Sequence, residues 1–397
     1  MSPHVFLVAG EESGDRLGAS LIAALKRHAP GVRCSGIGGS HMADEGVPSL
    51  FPLGDLAIIG FDIVRSLPKI LRRIREAADA AIAAKPDVLV IIDSPEFTHR
   101  VARRVRRIAP HIPIVDYVCP SVWAWRPGRA RAMRGYIDHV LALLPFEPAA
   151  MKRLGGPPCT FVGHPLSEKV GALRPNPEEA RRRLSDPPVL LVLPGSRSGE
   201  IRRMAGVFGD AVALLAERAG PLEVVVPAIP RLADAVRVAT ATWRVPVRIV
   251  TAPDEKDAAF RTARAALSKS GTSTLELAVA GVPMAAAYKV SLFEEMIGRA
   301  FIRVKSYILA NLVLDENVVP EFLQYQCTPE ALAGALLPLM ADTPERRRQI
   351  AAFARLDTIM AIGTAIPSDR AADVILGCIA GLNQRGAGAV ASAPPRA

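Results

Sequence analysis

Leu173-Arg-Pro-Asn-Pro-Glu-Glu-Ala-Arg-Arg-Arg-Leu-Ser-Asp-Pro-Pro188 runs straight into Val189-Leu-Leu-Val-Leu193, and that junction decides the fold. A segment rich in proline and charge gives way at once to a short apolar run of the kind that forms a buried strand. Toward the N-terminus the same kind of run occurs at Val5–Ala9, Val88–Ile92, Ile114–Val118 and Val140–Leu144. Beyond Val189–Leu193 it recurs at Leu222–Val226, Val247–Val250, Ala265–Ser268 and Pro283–Ala287. Helical patterns separate most of these runs. Strands alternating with helices imply parallel sheets covered on both faces, and the restart at Val189 implies two such sheets. The fold class expected is therefore α/β, with two Rossmann-like domains and a cleft between them.

The boundaries that follow are 1–170 for the first domain and 171–344 for the second. A set of C-terminal helices occupies 345–381, and a Gly-, Ala- and Pro-rich tail at 384–397 is expected to be disordered. A length of 397 residues suits two domains rather than one. Half the residues are hydrophobic and 22% are charged, which fits a globular protein and not a disordered one.

The five cysteines are far apart, with no C-x-x-C pair, and the seven histidines show no metal-binding spacing. Neither a disulfide framework nor a zinc site is indicated, and a reducing compartment fits. The N-terminal residues lack the pattern of a signal peptide. No apolar run reaches the roughly 18–20 residues that span a bilayer. The expectation is a soluble, cytoplasmic protein.

Net charge is +10. Residues 65–75, 100–107 and 126–134 hold several Arg and Lys and no acid, and such patches attract nucleic acid, anionic lipid or phosphorylated substrates. A solvated basic surface is the alternative. No nucleic-acid recognition motif accompanies the arginines, so no nucleic-acid partner is expected.

Ligands of open α/β sheets bind at the carboxyl ends of strands. Three loops there are unlike simple connectors: Gly10-Glu-Glu-Ser-Gly-Asp15, Pro194-Gly-Ser-Arg197 and Ser268-Lys-Ser-Gly-Thr-Ser-Thr274. The first is no dinucleotide fingerprint, and carboxylates before its helix, expected to begin near Arg16, would repel a pyrophosphate. Helix capping by Asp15 or Ser13 is its simplest reading. The second offers small residues, a helix N-terminus and the fork of Arg197 to a phosphate. The third offers hydroxyls and backbone donors, although Ser273 and Glu276 also fit a capping box that needs no ligand. Asp93 ends an apolar run and fits either a general base or a helix cap. Trp123 and Trp125, in Ser121-Val-Trp-Ala-Trp125, fit a binding surface or a plug in the core.

A basic amphipathic helix is expected over 67–84, with Ser66 as its cap and Pro68 in the first turn. Ile63, Leu67, Ile70, Leu71 and Ile74 fall on one side, and Arg65, Lys69, Arg72 and Arg73 on the other. That pattern suits an anionic membrane surface at about 1 kcal/mol per cation, or an ordinary helix whose apolar stripe faces the core.

Taken together, these segments resemble the lipid-A-disaccharide synthase family, inverting glycosyltransferases of GT-B architecture. The similarity runs from about residue 5 to 380. It rests on Val8-Ala-Gly-Glu-Glu-Ser-Gly-Asp15, Ile92-Asp-Ser-Pro-Glu-Phe97, Pro120-Ser-Val-Trp-Ala-Trp-Arg126, Leu144-Pro-Phe-Glu147, Val162-Gly-His-Pro165, Leu193-Pro-Gly-Ser-Arg197 and Ser270-Gly-Thr-Ser-Thr-Leu-Glu276. The resemblance implies transfer of 2,3-diacylglucosamine from UDP-2,3-diacylglucosamine to 2,3-diacylglucosamine 1-phosphate, giving a β-1,6-linked disaccharide and UDP. It implies Asp93 as base, Glu11, Ser13, Trp123 and Trp125 on the acceptor side, and Arg197, Thr272, Ser273, Thr274, Glu276 and Asn311 on UDP. It implies no metal and no cofactor, work at the cytoplasmic face of the inner membrane, and last helices that pack on the first domain or on a second protomer in a homodimer.

This chain departs from the family pattern at Glu12, Glu96, Thr98 and Leu309-Ala-Asn-Leu312, so Glu12 and Glu96 carry no assigned role. The alternatives of the same architecture are the peptidoglycan N-acetylglucosaminyltransferase and a UDP-sugar epimerase. A binding module without chemistry is the alternative from outside the enzymes.

Overall fold

The computed structural model describes residues 2–56, 63–290, 304–363 and 366–391, with 63–66 and 382–391 as backbone only. It contains two sheets, each of six parallel strands. The first comprises β1 (His4–Ala9), β2 (Arg33–Ile37), β3 (Val88–Ile92), β4 (Ile114–Tyr117), β5 (His139–Ala142) and β6 (Cys159–Phe161), in the order β2-β1-β3-β4-β5-β6. The second comprises β7 (Val189–Leu193), β8 (Glu223–Pro227), β9 (Val247–Val250), β10 (Ala265–Lys269), β11 (Met284–Tyr288) and β12 (Glu321–Leu323), in the order β12-β11-β10-β7-β8-β9. The α/β class with two Rossmann-like sheets is as expected.

In each sheet the chain lays strands to one side of the first and then crosses to the other. The reversal lies between β1 and β3 in one sheet and between β7 and β10 in the other. At such a point the two loops leave in opposite directions and open a crevice at the carboxyl ends of the strands.

Contacts divide the chain into one unit of residues 1–165 with 364–397, and another of 166–363. The first sheet shows why the chain returns to it. On β1, Phe6 and Val8 join Ile70, Ile74, Val101 and Val105 on one face. Val5, Leu7 and Ala9 point the other way, into a layer with Leu21, Ile22 and Leu25. Ala371, Ala372 and Ile375 of the last helix complete that layer. Side chains alternate between faces along a strand, so an apolar strand needs cover on both. The helix Pro367–Ala391 supplies part of it, tied to the helix Glu12–His28 by His28 Nδ1 with Asp373 at 2.7 Å and by Arg27 with Asp369.

Residues 345–381 therefore do not act as one set, because the helix Pro344–Ala354 belongs to the second unit. Of the tail at 384–397, residues up to 391 continue the last helix and 392–397 lie outside the described residues.

The charged segment at 173–188 is itself folded. Asn176 and Glu179 close a capping box on the helix Pro177–Arg183, with the Asn176 side chain accepting from Glu178 N and Glu179 N at 2.9 Å. The half-buried Arg183 guanidinium donates to the carbonyls of Phe260, Arg261, Ala280 and Gly281.

The amphipathic helix begins earlier than expected. It spans Ile63–Ala84, so Ser66 lies inside it and is not the cap. Its apolar residues also divide: Ile70 and Ile74 enter the core, while Leu67 is 44% and Leu71 40% exposed. Its cations are largely paired, Lys69 and Arg73 with Asp55 and both Arg72 and Arg73 with Glu76. No described helix is long and apolar enough to cross a membrane.

Candidate active site

In the first unit, the crevice between β1 and β3 gathers three of the expected residues. The helix after β1 starts at Glu12, not near Arg16, so Glu11 is its N-cap and Ser13 stands in its first turn. Glu12 and Asp15 suit that turn because the amide end of a helix attracts negative charge. The Ser13 hydroxyl lies 2.9 Å from Asp93 Oδ2 and 3.0 Å from Glu11 Oε1. Its single proton can serve one carboxylate at a time. The other Asp93 oxygen, Oδ1, accepts from Ser94 N at 2.7 Å.

This approach depends on Gly10. A Cβ there would stand 2.4 Å from Ser94 Cβ, well inside contact distance. Asp15 does not cap its own helix. It is buried and crosses to the short helix Ser40–Asp44, where it accepts from the N–H groups of Gly39, His41 and Met42.

Asp93 is no simple helix cap either. Asp93 and Ser94 have φ of +53° and +45°, Val118 +95° and Arg126 +52°, a conformation that L-residues avoid at about 1–2 kcal/mol each. The buried Thr98 hydroxyl braces the first of these bends by donating to the Asp93 carbonyl at 2.7 Å. Asp93, Val118 and Arg126 all line one cavity of 250 Å³, with Trp125 on its wall. Backbone strain concentrated on one crevice is the pattern of a functional site.

The two tryptophans part company. Trp125 is exposed, with the Arg126 guanidinium 4.4 Å above its ring. Trp123 turns inward, edge-on to Phe146, and its indole N–H donates to Glu147 Oε1 at 3.1 Å. Glu147 went unassigned in the sequence. Burial pushes its carboxyl up to about 7, against the lowering pull of the Leu144, Trp123 and Leu143 N–H donors.

In the second unit, the crevice between β7 and β10 holds the other two loops. Gly195, at φ +141°, permits a tight turn, since a Cβ would meet Glu200 Cβ at 2.5 Å. Glu200 folds back over that turn, accepting from Ser196 N at 2.9 Å and from Lys269 Nζ at 3.0 Å. Burial alone would raise the Glu200 carboxyl, but Lys269, the Ser196 N–H and nearby Arg197 hold it below its ordinary value. The Arg197 side chain is 81% exposed at the start of the helix Ser198–Ala219. Lys269, unassigned in the sequence, was marked only by being a cation at the end of an apolar strand.

The capping box that is the alternative reading of Ser273 and Glu276 does not form. The helix Ser273–Val279 is capped by Thr272 without a side-chain bond, and Thr274 donates instead to Gly271 O. The Glu276 carboxylate is left half-buried beside Lys256 Nζ, 3.5 Å away.

Asn311 lies on the helix Leu309–Leu314, which packs against the helix Ser273–Val279. It is buried, and its side chain is fully engaged, donating to Val319 O and Glu321 Oε1 and accepting from Val318 N and Val319 N. Glu321 in turn accepts from Tyr307 N, and Tyr307 O accepts from Ser270 Oγ at 2.7 Å. Asn311 thus braces the loop that carries the hydroxyls.

Solved structures of similar fold include a putative UDP-N-acetylglucosamine 2-epimerase from Listeria monocytogenes, at TM-score 0.61, 12% identity, 97% of this chain and 98% of that one. Another is MurG from Acinetobacter baumannii, at TM-score 0.58, 16% identity, 94% of this chain and 99% of that one. Such low identity establishes the fold alone. Sequence separates the alternatives. A lipid-A-disaccharide synthase from Nitrobacter winogradskyi is 60% identical over 94% of this chain and 95% of its own length. The profile of the family described as lipid-A-disaccharide synthetase matches residues 5–363. With the same architecture and this identity across both crevices, the chain belongs to the lipid-A-disaccharide synthase family of glycosyltransferases.

Proposed function

We propose that the first unit holds the acceptor 2,3-diacylglucosamine 1-phosphate and deprotonates its 6-hydroxyl through Asp93, while the second holds UDP-2,3-diacylglucosamine. The acceptor oxygen attacks C1 of the donor sugar, its proton passes to Asp93, and the bond from C1 to the UDP oxygen breaks with its electron pair leaving on UDP. Attack from the face opposite the leaving group inverts C1. The observation that carries the reading is the carboxylate of Asp93, held at the strand reversal by Ser13 and the Ser94 N–H and opening into a cavity beside Trp125.

A base must sit within hydrogen-bond reach of the proton that it removes and be fixed in orientation. Ser13 and Ser94 fix Asp93. Glu11 keeps Ser13 in place, and Trp125 offers the flat apolar wall that a sugar ring stacks on. Trp123, bonded to Glu147, anchors the loop that carries Trp125.

On the donor side, exposed Arg197, 3.5 Å from Glu200, offers the rest of its fork to the diphosphate, and Thr272 and Ser273 bring hydroxyls and backbone N–H groups to it, while buried Thr274 holds the turn through Gly271 O. Glu276 is placed for the ribose hydroxyls. Fixed donors of this kind stabilise the charge that grows on UDP as it leaves. Asn311 acts through the loop and not on UDP directly.

Both substrates carry acyl chains, so the protein must meet a lipid surface. Exposed Leu67 and Leu71 are the residues proposed to enter it, at the cytoplasmic face of the membrane. Incubating the protein with both lipids and measuring released UDP tests the reading. Release that requires both substrates is expected. Release from the donor alone, or none, refutes it.

A further inference from the structure

A second cavity adjoins the one that holds Asp93. Its volume is 370 Å³, and the two share Pro95, Glu96, Arg126 and Arg129 as a common wall. Arg100 and Arg103 join the lining, with His99, Gly128 and Ala132. Four guanidinium groups therefore face one space with a single carboxylate, Glu96, which lies 3.3 Å from Arg129. Among the described residues, no carboxylate pairs with Arg100, Arg103 or Arg126.

Several of these groups are held in place. The Arg103 guanidinium rests over the Tyr136 ring at 4.6 Å and donates to its hydroxyl at 3.2 Å. That hydroxyl also meets His99 Nδ1 at 3.0 Å, and His99 Nε2 lies 3.1 Å from buried Asp116. Arg126 is stacked on Trp125. Cations gathered without counter-charges repel one another unless an anion joins them, and guanidinium forks match the oxygens of a phosphate.

We propose that this pocket binds a phosphate monoester on a hexosamine, namely the 1-phosphate of the acceptor, through Arg100, Arg103 and Arg126. The inference rests on the proposed transfer reaction and deepens it. In a pyranose C1 and C5 both flank the ring oxygen, so the 1-phosphate and the 6-hydroxyl stand on one edge of the ring, separated by about its width. A sugar with its 6-hydroxyl at Asp93 therefore holds its phosphate a short way from that carboxylate, and the cavity that shares a wall with the one at Asp93 is where the cations are. The pocket thereby distinguishes an acceptor that bears a phosphate from one that does not, and it fixes which hydroxyl reaches the base.

The source of the phosphate is tested against the alternative, a phospholipid head group. Glucosamine 1-phosphate and glucosamine are titrated calorimetrically into the full chain and into the Arg100→Gln/Arg103→Gln variant. Both arginines are exposed and glutamine keeps the helix, so folding is retained; Arg100→Gln alone is the milder control. The wild type should bind the phosphorylated sugar at least about tenfold more tightly than glucosamine, and the double variant should lose that difference. In neutral detergent micelles the variant should raise KM for the acceptor by about tenfold or more and leave KM for the donor unchanged.

Equal binding of the two sugars by the wild type overturns the proposal. So does an unchanged acceptor KM in the variant, and if such a variant also loses affinity for anionic vesicles the pocket is a head-group site. Should the sugars behave as expected while no UDP is released from the two lipids, the pocket stands and the transfer reaction falls. Normal UDP release with an unchanged acceptor KM gives the reverse.

Discussion

Asp93→Asn is the perturbation that most directly separates chemistry from architecture. The amide is nearly isosteric with the carboxylate. Its oxygen can keep the bond from Ser94 N, 2.7 Å away, and its NH2 then faces Ser13 Oγ at 2.9 Å. Ser13 can accept that donor by turning its own proton to Glu11 Oε1, 3.0 Å away. No buried group is left unpaired, so the loss of stability should stay within about 1 kcal/mol. The amide cannot take a proton from the acceptor. Loss of a general base lowers the rate by about 10²–10⁴-fold, or roughly 3–5 kcal/mol at 1.36 kcal/mol per factor of ten. UDP binding, placed in the other unit, should be unchanged. The assay is UDP release at saturating substrates, read beside a melting curve and a UDP titration. Ser13→Ala, which removes a positioning donor but leaves the base, should cost only about tenfold. A well-folded Asp93→Asn enzyme with kcat within about fivefold of wild type refutes the reasoning.

Gly10→Ala places a Cβ 2.4 Å from Ser94 Cβ, an atom fixed to a left-handed backbone that cannot swing aside. It should lower kcat by about 10²-fold through displaced Asp93 while UDP affinity holds, and cost about 1–3 kcal/mol in a denaturant melt. The Glu147 carboxyl, ordinarily near 4.5, is raised to about 7 in the folded chain, so the folded state holds a proton between those values that the unfolded state has lost. The contribution of Glu147 to stability should be full below about pH 4.5 and fall by roughly 3 kcal/mol as pH rises to about 7, as melts of wild type set against Glu147→Gln across that range would reveal. Trp123 fluorescence should change over the same folded-state midpoint, and Glu147→Gln should flatten both. Leu67→Ser/Leu71→Ser should weaken vesicle co-sedimentation by about 30- to 150-fold, the equivalent of roughly 2–3 kcal/mol of buried apolar surface. Unchanged sedimentation would place membrane docking elsewhere.

The interior strands were legible because they are buried on both faces and hence uniformly apolar. The three strands without a clear signal were β2 (Arg33-Cys-Ser-Gly-Ile37), β6 (Cys159-Thr-Phe161) and β12 (Glu321-Phe-Leu323), and each is an edge of its sheet. An edge strand is paired on one side only and is often short or polar, so its composition does not distinguish it from a loop. The amphipathic helix was legible as a pattern but not as a surface. Helical spacing already puts Glu76 within reach of Arg72 and Arg73, but only the fold brings Asp55 to Lys69 and Arg73. The surroundings of Asn311 are hidden in the sequence for a related reason. A motif can mark a residue as necessary, but only its four hydrogen bonds reveal that it braces a loop. Conversely, Arg100 and Arg103 carried a signal in their spacing of three along a helix, and only the neighbouring Arg126 and Arg129 turn that spacing into a pocket.

The same strand reversal occurs in both sheets, yet the two crevices are suited to different chemistry. A helix N-terminus follows the first strand of each sheet, and by itself it attracts an anion. After β1 that position is already filled by charge of the wrong sign. Glu11, Glu12 and Asp15 crowd the first turn, and Asp93 faces them from β3. A diphosphate brought there would meet carboxylates at close range, whereas a neutral hydroxyl would meet a base. After β7 the one acid in the first turn, Glu200, is neutralised by Lys269, the Ser196 N–H and one arm of Arg197, whose guanidinium is otherwise exposed. There a diphosphate meets net positive charge and small side chains. The proposed assignment of acceptor to one unit and nucleotide to the other thus rests on which amino acids fill the first helical turn, and not on the topology, which the units share. Exchanging that charge tests the point: Lys269→Met, which frees the Glu200 carboxylate to face an incoming phosphate, should weaken UDP binding by at least about tenfold without touching any acceptor residue. UDP affinity that is unchanged in Lys269→Met would show that the sign of the first turn does not direct the nucleotide.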